Sequence, residues 1–165
     1  MLDSACVRES VKRDLALEAL ASFGEIRLTV QGASMIPALW PRDTLLVRRT
    51  DVNHVSPGDL VLCRWSGGLR IHRLLAKLET EGDTLLVTRG DALSENDPPA
   101  PASELLGRVS AVVSGQNHRV PRRQLSAGEA LLAWLARRST WATRILVGAR
   151  RMAAAVPAWR GCCLP

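Results

Sequence analysis

Aromatic residues are scarce in this sequence of 165 residues, which has five tryptophans, one phenylalanine and no tyrosine. The aromatic and glycine signatures of common RNA-binding modules are absent, and no cysteine and histidine spacing matches a zinc finger. Although the formal net charge is +6, we therefore expect no nucleic acid among the partners of this protein.

Cysteine is also rare, with Cys6, Cys63 and the adjacent pair Cys162–Cys163. This scatter fits neither a disulfide framework nor a C-x-x-C metal site, so reduced thiols are the simplest expectation. His54 and His118 lie in predicted loops without metal-ligand companions. We expect no metal and no cofactor.

Long apolar runs are missing, because no stretch approaches the 18 or more apolar residues of a membrane span. The N-terminus carries Asp3, Arg8, Glu9 and Lys12, unlike the apolar segment of an export signal. A cytoplasmic or peripherally membrane-associated protein is expected.

The positive charge is concentrated at one end of the chain. From Arg119 onward there are nine arginines and one acid, Glu129, which leaves about −2 for the first 118 residues. Tryptophans lie among these arginines, so an anionic membrane surface is one candidate partner for the tail. The alternative is helices packed over the rest of the fold with their arginines in solvent.

The chain length indicates one domain with appendages: an N-terminal amphipathic helix (1–24), a β domain (25–118) and a basic helical tail (119–165). A surface loop is predicted over 94–103, and a capping box, Ser126 with Glu129, opens the first helix of the tail. A second tail helix is predicted over 140–156. The β domain consists of short apolar-rich segments at 26–31, 44–49, 60–65, 69–75, 84–89 and 105–113.

A small-residue turn follows the first predicted strand and places Ser34 between Ala33 and Met35, with Gly32 before them and a proline after. Such a turn can present a hydroxyl beside backbone N–H groups, as acyl transfer requires. A serine also needs a base, and His72 lies in a downstream strand. Taken locally, a helix-capping serine and a structural histidine are the favoured interpretations.

Five short motifs in fixed order favour the catalytic interpretation. The motifs are Gly32-Ala33-Ser34-Met35-Ile36-Pro37, Gly58-Asp59-Leu60-Val61, Ile71-His72-Arg73, Arg89-Gly90-Asp91 with Asp97 beyond, and Leu106-Gly107-Arg108-Val109. Together they resemble the superfamily of type I signal peptidases and self-cleaving LexA-like repressors, over about half of the chain. The resemblance implies a mainly β fold, a coiled β-barrel with the N-terminal helix and the basic helical extension added.

Within that superfamily, the His72-Arg73 pair resembles the archaeal and endoplasmic-reticulum signal peptidases, which use histidine where the bacterial enzymes and the repressors use lysine. The resemblance implies that Ser34 is the nucleophile, that His72 is its base, and that either Asp91 or Asp97 orients the imidazole. Lys77 is the alternative base. Gly32 replaces a hydroxyl donor found in many signal peptidases, so backbone N–H groups around Ser34, with Gly32, Ala33 and Met35, are expected to bind the oxyanion.

The predicted function is therefore a serine endopeptidase that cuts a leader, signal or precursor peptide through an acyl-enzyme. One alternative is a LexA-like self-cleaving regulator, although the only Ala-Gly pair, Ala127-Gly128, follows the β domain. Another is a catalytically inactive peptide-binding module on the same fold.

Overall fold

The computed structural model describes residues 4–66, 68–114 and 117–138 of the protein. Helix α1 spans Ser4–Phe23, within the predicted 1–24, and ends where Gly24 adopts a positive φ of 73° and donates its N–H to the Leu20 carbonyl. The predicted apolar face is not a continuous buried stripe. Leu20 is in the core, whereas Val11 and Leu15 are 59% and 64% exposed.

The described residues form eight antiparallel strands: β1 Glu25–Thr29, β2 Thr44–Arg49, β3 Leu60–Trp65, β4 Gly68–Thr80, β5 Asp83–Arg89, β6 Ala100–Pro101, β7 Leu105–Ser114 and β8 Asn117–Arg119. They lie in one sheet, in the order β1-β2-β7-β3-β4-β5-β6 with β8 beside β7. The prediction of a mainly β fold is confirmed. The described strands form an open sheet rather than a closed barrel, with β1 and β6 at its edges.

Strand β4 is longer than the predicted 69–75 because its second half forms a hairpin with β5. Thr80 pairs with Asp83 across a turn in which Gly82 has φ 94°, a conformation that glycine adopts without strain. The predicted loop 94–103 is also partly structured: β6 pairs with β5, and a 3-10 turn follows at Ala102–Glu104. Proline is tolerated in β6 because this strand lies at the sheet edge.

In the described part of the chain, buried side chains form three clusters. The largest lies between α1, β1, β2, β3 and β7, and it includes Met35 and Leu39 from the turn after β1. The second packs β3 against β4 and β5. The third joins Ile36 and Ala92 to Ala136 in the C-terminal helix. The segment around Ser34 therefore packs into two clusters, the first through Met35 and Leu39 and the third through Ile36.

Helix α2 spans Ala127–Arg138, and the predicted capping box opens it: the Ser126 N–H donates to the Glu129 carboxylate, and the Glu129 N–H donates to the Ser126 hydroxyl. The predicted helix at 140–156 lies outside the described residues. Strand β8 crosses the boundary predicted at 118/119, so His118 lies in a strand and not in a loop. Among the described helices, none combines the length and apolar character needed to cross a membrane.

Candidate active site

Ser34 lies on a compact turn that leaves the sheet after β1. The N–H of Val30 donates to the Asp43 carbonyl and the N–H of Arg42 donates to the Val30 carbonyl, which closes residues 31–41 into a loop. Inside the loop Met35, Ile36 and Leu39 are buried. This apolar anchor holds the half-buried Ser34 at the protein surface.

A second segment fixes the position of Ser34 from the opposite side. The Ala92 N–H donates to the Ser34 carbonyl oxygen over 2.9 Å. A β-carbon at position 90 would lie only 2.6 Å from the same oxygen, so the chain can approach this closely only with glycine there. Gly90 thereby allows the 90–92 segment to support the serine turn.

His72 brings a buried imidazole to the serine from strand β4, where it pairs with Val61 of β3. Its Nε2 is 3.2 Å from the Ser34 Oγ, and its Nδ1 is 2.5 Å from Asp97 Oδ2. An ionised carboxylate can only accept hydrogen bonds, so the proton of neutral His72 belongs on Nδ1. Nε2 is then free to accept the hydroxyl proton of Ser34.

Asp97 is held by several donors besides His72. Its Oδ2 accepts from the Thr88 hydroxyl over 2.7 Å and its Oδ1 accepts from Arg70 over 2.9 Å. Its backbone N–H donates to the Thr88 carbonyl. Burial alone raises the pKa of Asp97, but the hydrogen bonds from His72 and Thr88 and the charges of His72 and Arg70 outweigh it, so the pKa is lowered. Asp97 is therefore a carboxylate at neutral pH.

Asp91, the other candidate for orienting the imidazole, contacts Arg73 instead. Its two oxygens accept from Nε and NH2 of Arg73 over 2.8 and 2.7 Å, and both side chains are buried. The remaining Arg73 nitrogen donates to the carbonyls of Gly58, Arg122 and Arg123. The structure thus places Asp97 at His72, and Asp91 in an ion pair that joins β4 to the serine-supporting segment.

The turn that carries Ser34 contains backbone N–H groups without a backbone acceptor. Among the described residues, neither the N–H of Ser34 nor that of Met35 donates to a backbone carbonyl. The Ala33 carbonyl accepts from Ile36 and closes the turn, and Gly32 is exposed, with open space around the place of a β-carbon. The N–H groups of Gly32 and Ala33 likewise donate to no backbone carbonyl among the described residues, so all four N–H groups are candidate donors for an oxyanion.

Lys77, the alternative base, is engaged elsewhere, because its ammonium donates to the Val52 carbonyl over 2.7 Å. Sequence reasoning missed two residues of the site, Arg70 and Thr88. A signal for Arg70 exists in the sequence, since it stands two positions before His72 in a strand and therefore faces the same side of the sheet. No comparable signal points to Thr88.

The chain falls in the serine peptidase superfamily that includes LexA-like repressors and signal peptidases. The chain belongs to the Peptidase S24-like family, whose model matches residues 11–109, more than half of its length. The match includes Ser34, His72 and Asp97. No curated protein matches the chain.

Proposed function

We propose that the protein is a serine endopeptidase in which Ser34, His72 and Asp97 act as a catalytic triad. One observation carries the proposal: a continuous series of hydrogen bonds runs from the Ser34 hydroxyl through both nitrogens of His72 to the Asp97 carboxylate. A nucleophile, its base and an orienting acid in this order form the arrangement that activates serine for acyl transfer.

The chemistry follows from the positions of these groups. His72 Nε2 accepts the Ser34 proton as Oγ attacks the peptide carbonyl, and Asp97 stabilises the imidazolium that forms. Backbone N–H groups of the turn that carries Ser34 bind the oxyanion. The imidazolium then protonates the leaving amine, and neutral His72 activates the water that hydrolyses the acyl-enzyme.

The substrate proposed is a leader, signal or precursor peptide cut next to small residues, as the superfamily resemblance implies. Self-cleavage is less well supported, because Ala127-Gly128 opens helix α2, where the Ala130 N–H donates to the Ser126 carbonyl. The start of helix α2 would have to unwind before this peptide bond could bind in an extended conformation at a peptidase site. A non-catalytic module is disfavoured by the 3.2 Å contact between Ser34 and His72.

A digest of a peptide library tests the proposal. Wild type, Ser34→Ala and His72→Ala are incubated with the library, and new termini are identified by mass spectrometry. Ser94→Ala, in the exposed loop, is the control. We expect a set of cuts that wild type and the control share and that both site variants lose. Identical products from all four proteins would refute the proposed chemistry.

An anionic membrane surface remains a second proposed partner, and the described part of the tail offers a surface for it. On α2, Leu131, Trp134 and Leu135 are 58%, 50% and 41% exposed, and the guanidinium of Arg138 lies 5.3 Å from the Trp134 ring centre. Exposed apolar and aromatic groups beside arginines suit the interface of an anionic bilayer. The proposed location is accordingly cytoplasmic or at the membrane periphery.

Liposome flotation tests this partner. We expect wild type to float with vesicles of anionic lipid and not with neutral ones, and the double variant Leu131→Ala with Trp134→Ala to float less. Leu15→Ala, an exposed leucine of α1, is the matched control. Equal flotation of the double variant and the control would argue against α2 as the contact surface.

A further inference from the structure

We propose that Arg70 is a positioning residue of this site. Its guanidinium, stacked on the Trp65 ring, fixes the orientation of the Asp97 carboxylate toward His72. This inference deepens the proposed function and rests on it for its catalytic meaning. The contact between Arg70 and Asp97 can also be tested without turnover.

The strand geometry brings the two charged side chains to one carboxylate. Arg70 and His72 are two residues apart in β4, so both side chains stand on the same face of the sheet. Arg70 donates to Asp97 Oδ1 over 2.9 Å, while His72 contacts Oδ2 over 2.5 Å. The two oxygens are therefore assigned to different partners, which fixes the rotation of the carboxyl group.

The Trp65 ring restrains the arginine. The Arg70 guanidinium carbon lies 4.3 Å from the centre of the ring, at the end of the neighbouring strand β3. Cation–π stacking is favourable and reduces the conformations open to a long side chain. The Arg70 side chain is 35% exposed, whereas that of Asp97 is 7% exposed. Trp65 and Arg70 together thus bring a positive charge from the surface to a buried carboxylate.

Other charged groups near the carboxylate do not replace Arg70. His72 shares strand β4 with Arg70, and β5 contributes only the neutral Thr88 hydroxyl. On β3, burial raises the pKa of the Cys63 thiol to about 12, and the charges of Asp97 and Glu104 add to this, so the thiol is neutral. Among the residues that the structure describes, Arg70 is consequently the permanent positive charge that hydrogen-bonds Asp97.

Loss of Arg70 has two expected consequences. Oδ1 would lose its charged donor in a largely buried position, where an unsatisfied carboxylate oxygen is costly. The carboxyl group would then be easier to protonate and freer to rotate. A protonated or rotated Asp97 holds the Nδ1 proton of His72 less well, and Nε2 would be aimed less accurately at Ser34.

The test compares Arg70→Gln and Trp65→Leu with wild type and with the control Arg89→Gln. Arg89 is a suitable control because it donates to the side chain of Asn96, the residue before Asp97, but not to Asp97 itself. Carbon-13 NMR of the labelled aspartate carboxyl, assigned with Asp97→Asn, reports the titration of Asp97. Turnover of a peptide cleaved by wild type reports kcat and KM separately.

We expect Asp97 to titrate at higher pH in Arg70→Gln, and kcat to fall by about tenfold with little change in KM. Trp65→Leu should shift both readouts in the same direction by less, and Arg89→Gln should match wild type. Arg70→Lys, which retains the charge, should restore the titration more than the rate because it lacks the planar fork.

The outcomes separate this inference from the proposed function. Unchanged Asp97 titration and unchanged kcat in Arg70→Gln would overturn the role of Arg70, while loss of activity in Ser34→Ala would leave the proposed function standing. Equal hydrolysis by wild type and Ser34→Ala would refute the proposed function. The titration of Asp97 would then still show whether Arg70 holds the carboxylate, and no shift would overturn the inference.

Discussion

Two aspartates six positions apart have different surroundings in this fold. Asp91 is enclosed in a bidentate ion pair with Arg73, and Asp97 contacts His72. Asp91 belongs to the Gly90-Asp91 motif and Asp97 follows it by six residues, so sequence alone left the choice between them open. The choice depends on how the loop after β5 returns, because the Asp97 N–H donates to the Thr88 carbonyl of that strand. Such a long-range bond has no local sequence signature.

Asparagine at these two positions is expected to separate catalysis from stability. Asp97→Asn should lower kcat/KM by about 10⁴ in a folded protein, because the amide favours the wrong imidazole tautomer. Asp91→Asn should lower the free energy of unfolding by about 3–5 kcal/mol, since it leaves Arg73 buried without a counter-charge. Peptide turnover and urea denaturation measure the two effects. A large loss of stability in Asp97→Asn together with a large loss of kcat/KM in a stable Asp91→Asn would contradict the roles given to these residues.

At the scale of elements, periodicity predicted the strands well and the connections less well. The bounds predicted for β2 and β3 are those observed, since apolar residues and turn signals delimit both. The extension of β4 and the short strand β6 depend on pairing with β5, which no single segment specifies. The close approach of Gly90 to the serine turn is likewise a property of two elements together.

Alanine at position 90 tests that approach. Its β-carbon would lie 2.6 Å from the Ser34 carbonyl oxygen, so the serine turn or the 90–92 segment must move. We expect Gly90→Ala to lower kcat/KM by about 10²-fold or more, because displacements near 1 Å cost this much in an active site. Gly128→Ala in α2, where the new carbon meets nothing within 4 Å, is the matched control. Similar losses in both variants would show that the spacing at Gly90 is not critical.

At the scale of the whole molecule, the open sheet and the helices α1 and α2 bring together residues from distant parts of the chain. The charge and apolar pattern predicted α2, but not that Ala136 would pack on Ile36 and Ala92 or that Arg137 would donate to the Asp91 carbonyl. The sequence pattern also could not show which part of α1 packs against the sheet. These features depend on tertiary packing, which overrides local pattern.

Stability should depend on pH through Asp97. Its pKa is lowered in the folded protein, so its contribution is fully present above the unfolded value of about 3.9 and is lost as the pH falls through the folded value. Unfolding free energies measured by urea at several acidic pH values should therefore fall more steeply in wild type than in Asp97→Asn. Parallel curves would show that Asp97 is not preferentially ionised in the folded state.

The identity of the base distinguishes a serine–histidine site from a serine–lysine site, the two arrangements that the resemblance allows. For one peptide cleaved by wild type, kcat/KM is measured for Ser34→Ala, His72→Ala and Lys77→Ala at matched protein concentration. We expect the first two variants to lose at least about 10⁴-fold and Lys77→Ala to keep activity near wild type. Full activity in Ser34→Ala, or loss in Lys77→Ala with activity retained in His72→Ala, would contradict a Ser34–His72–Asp97 site.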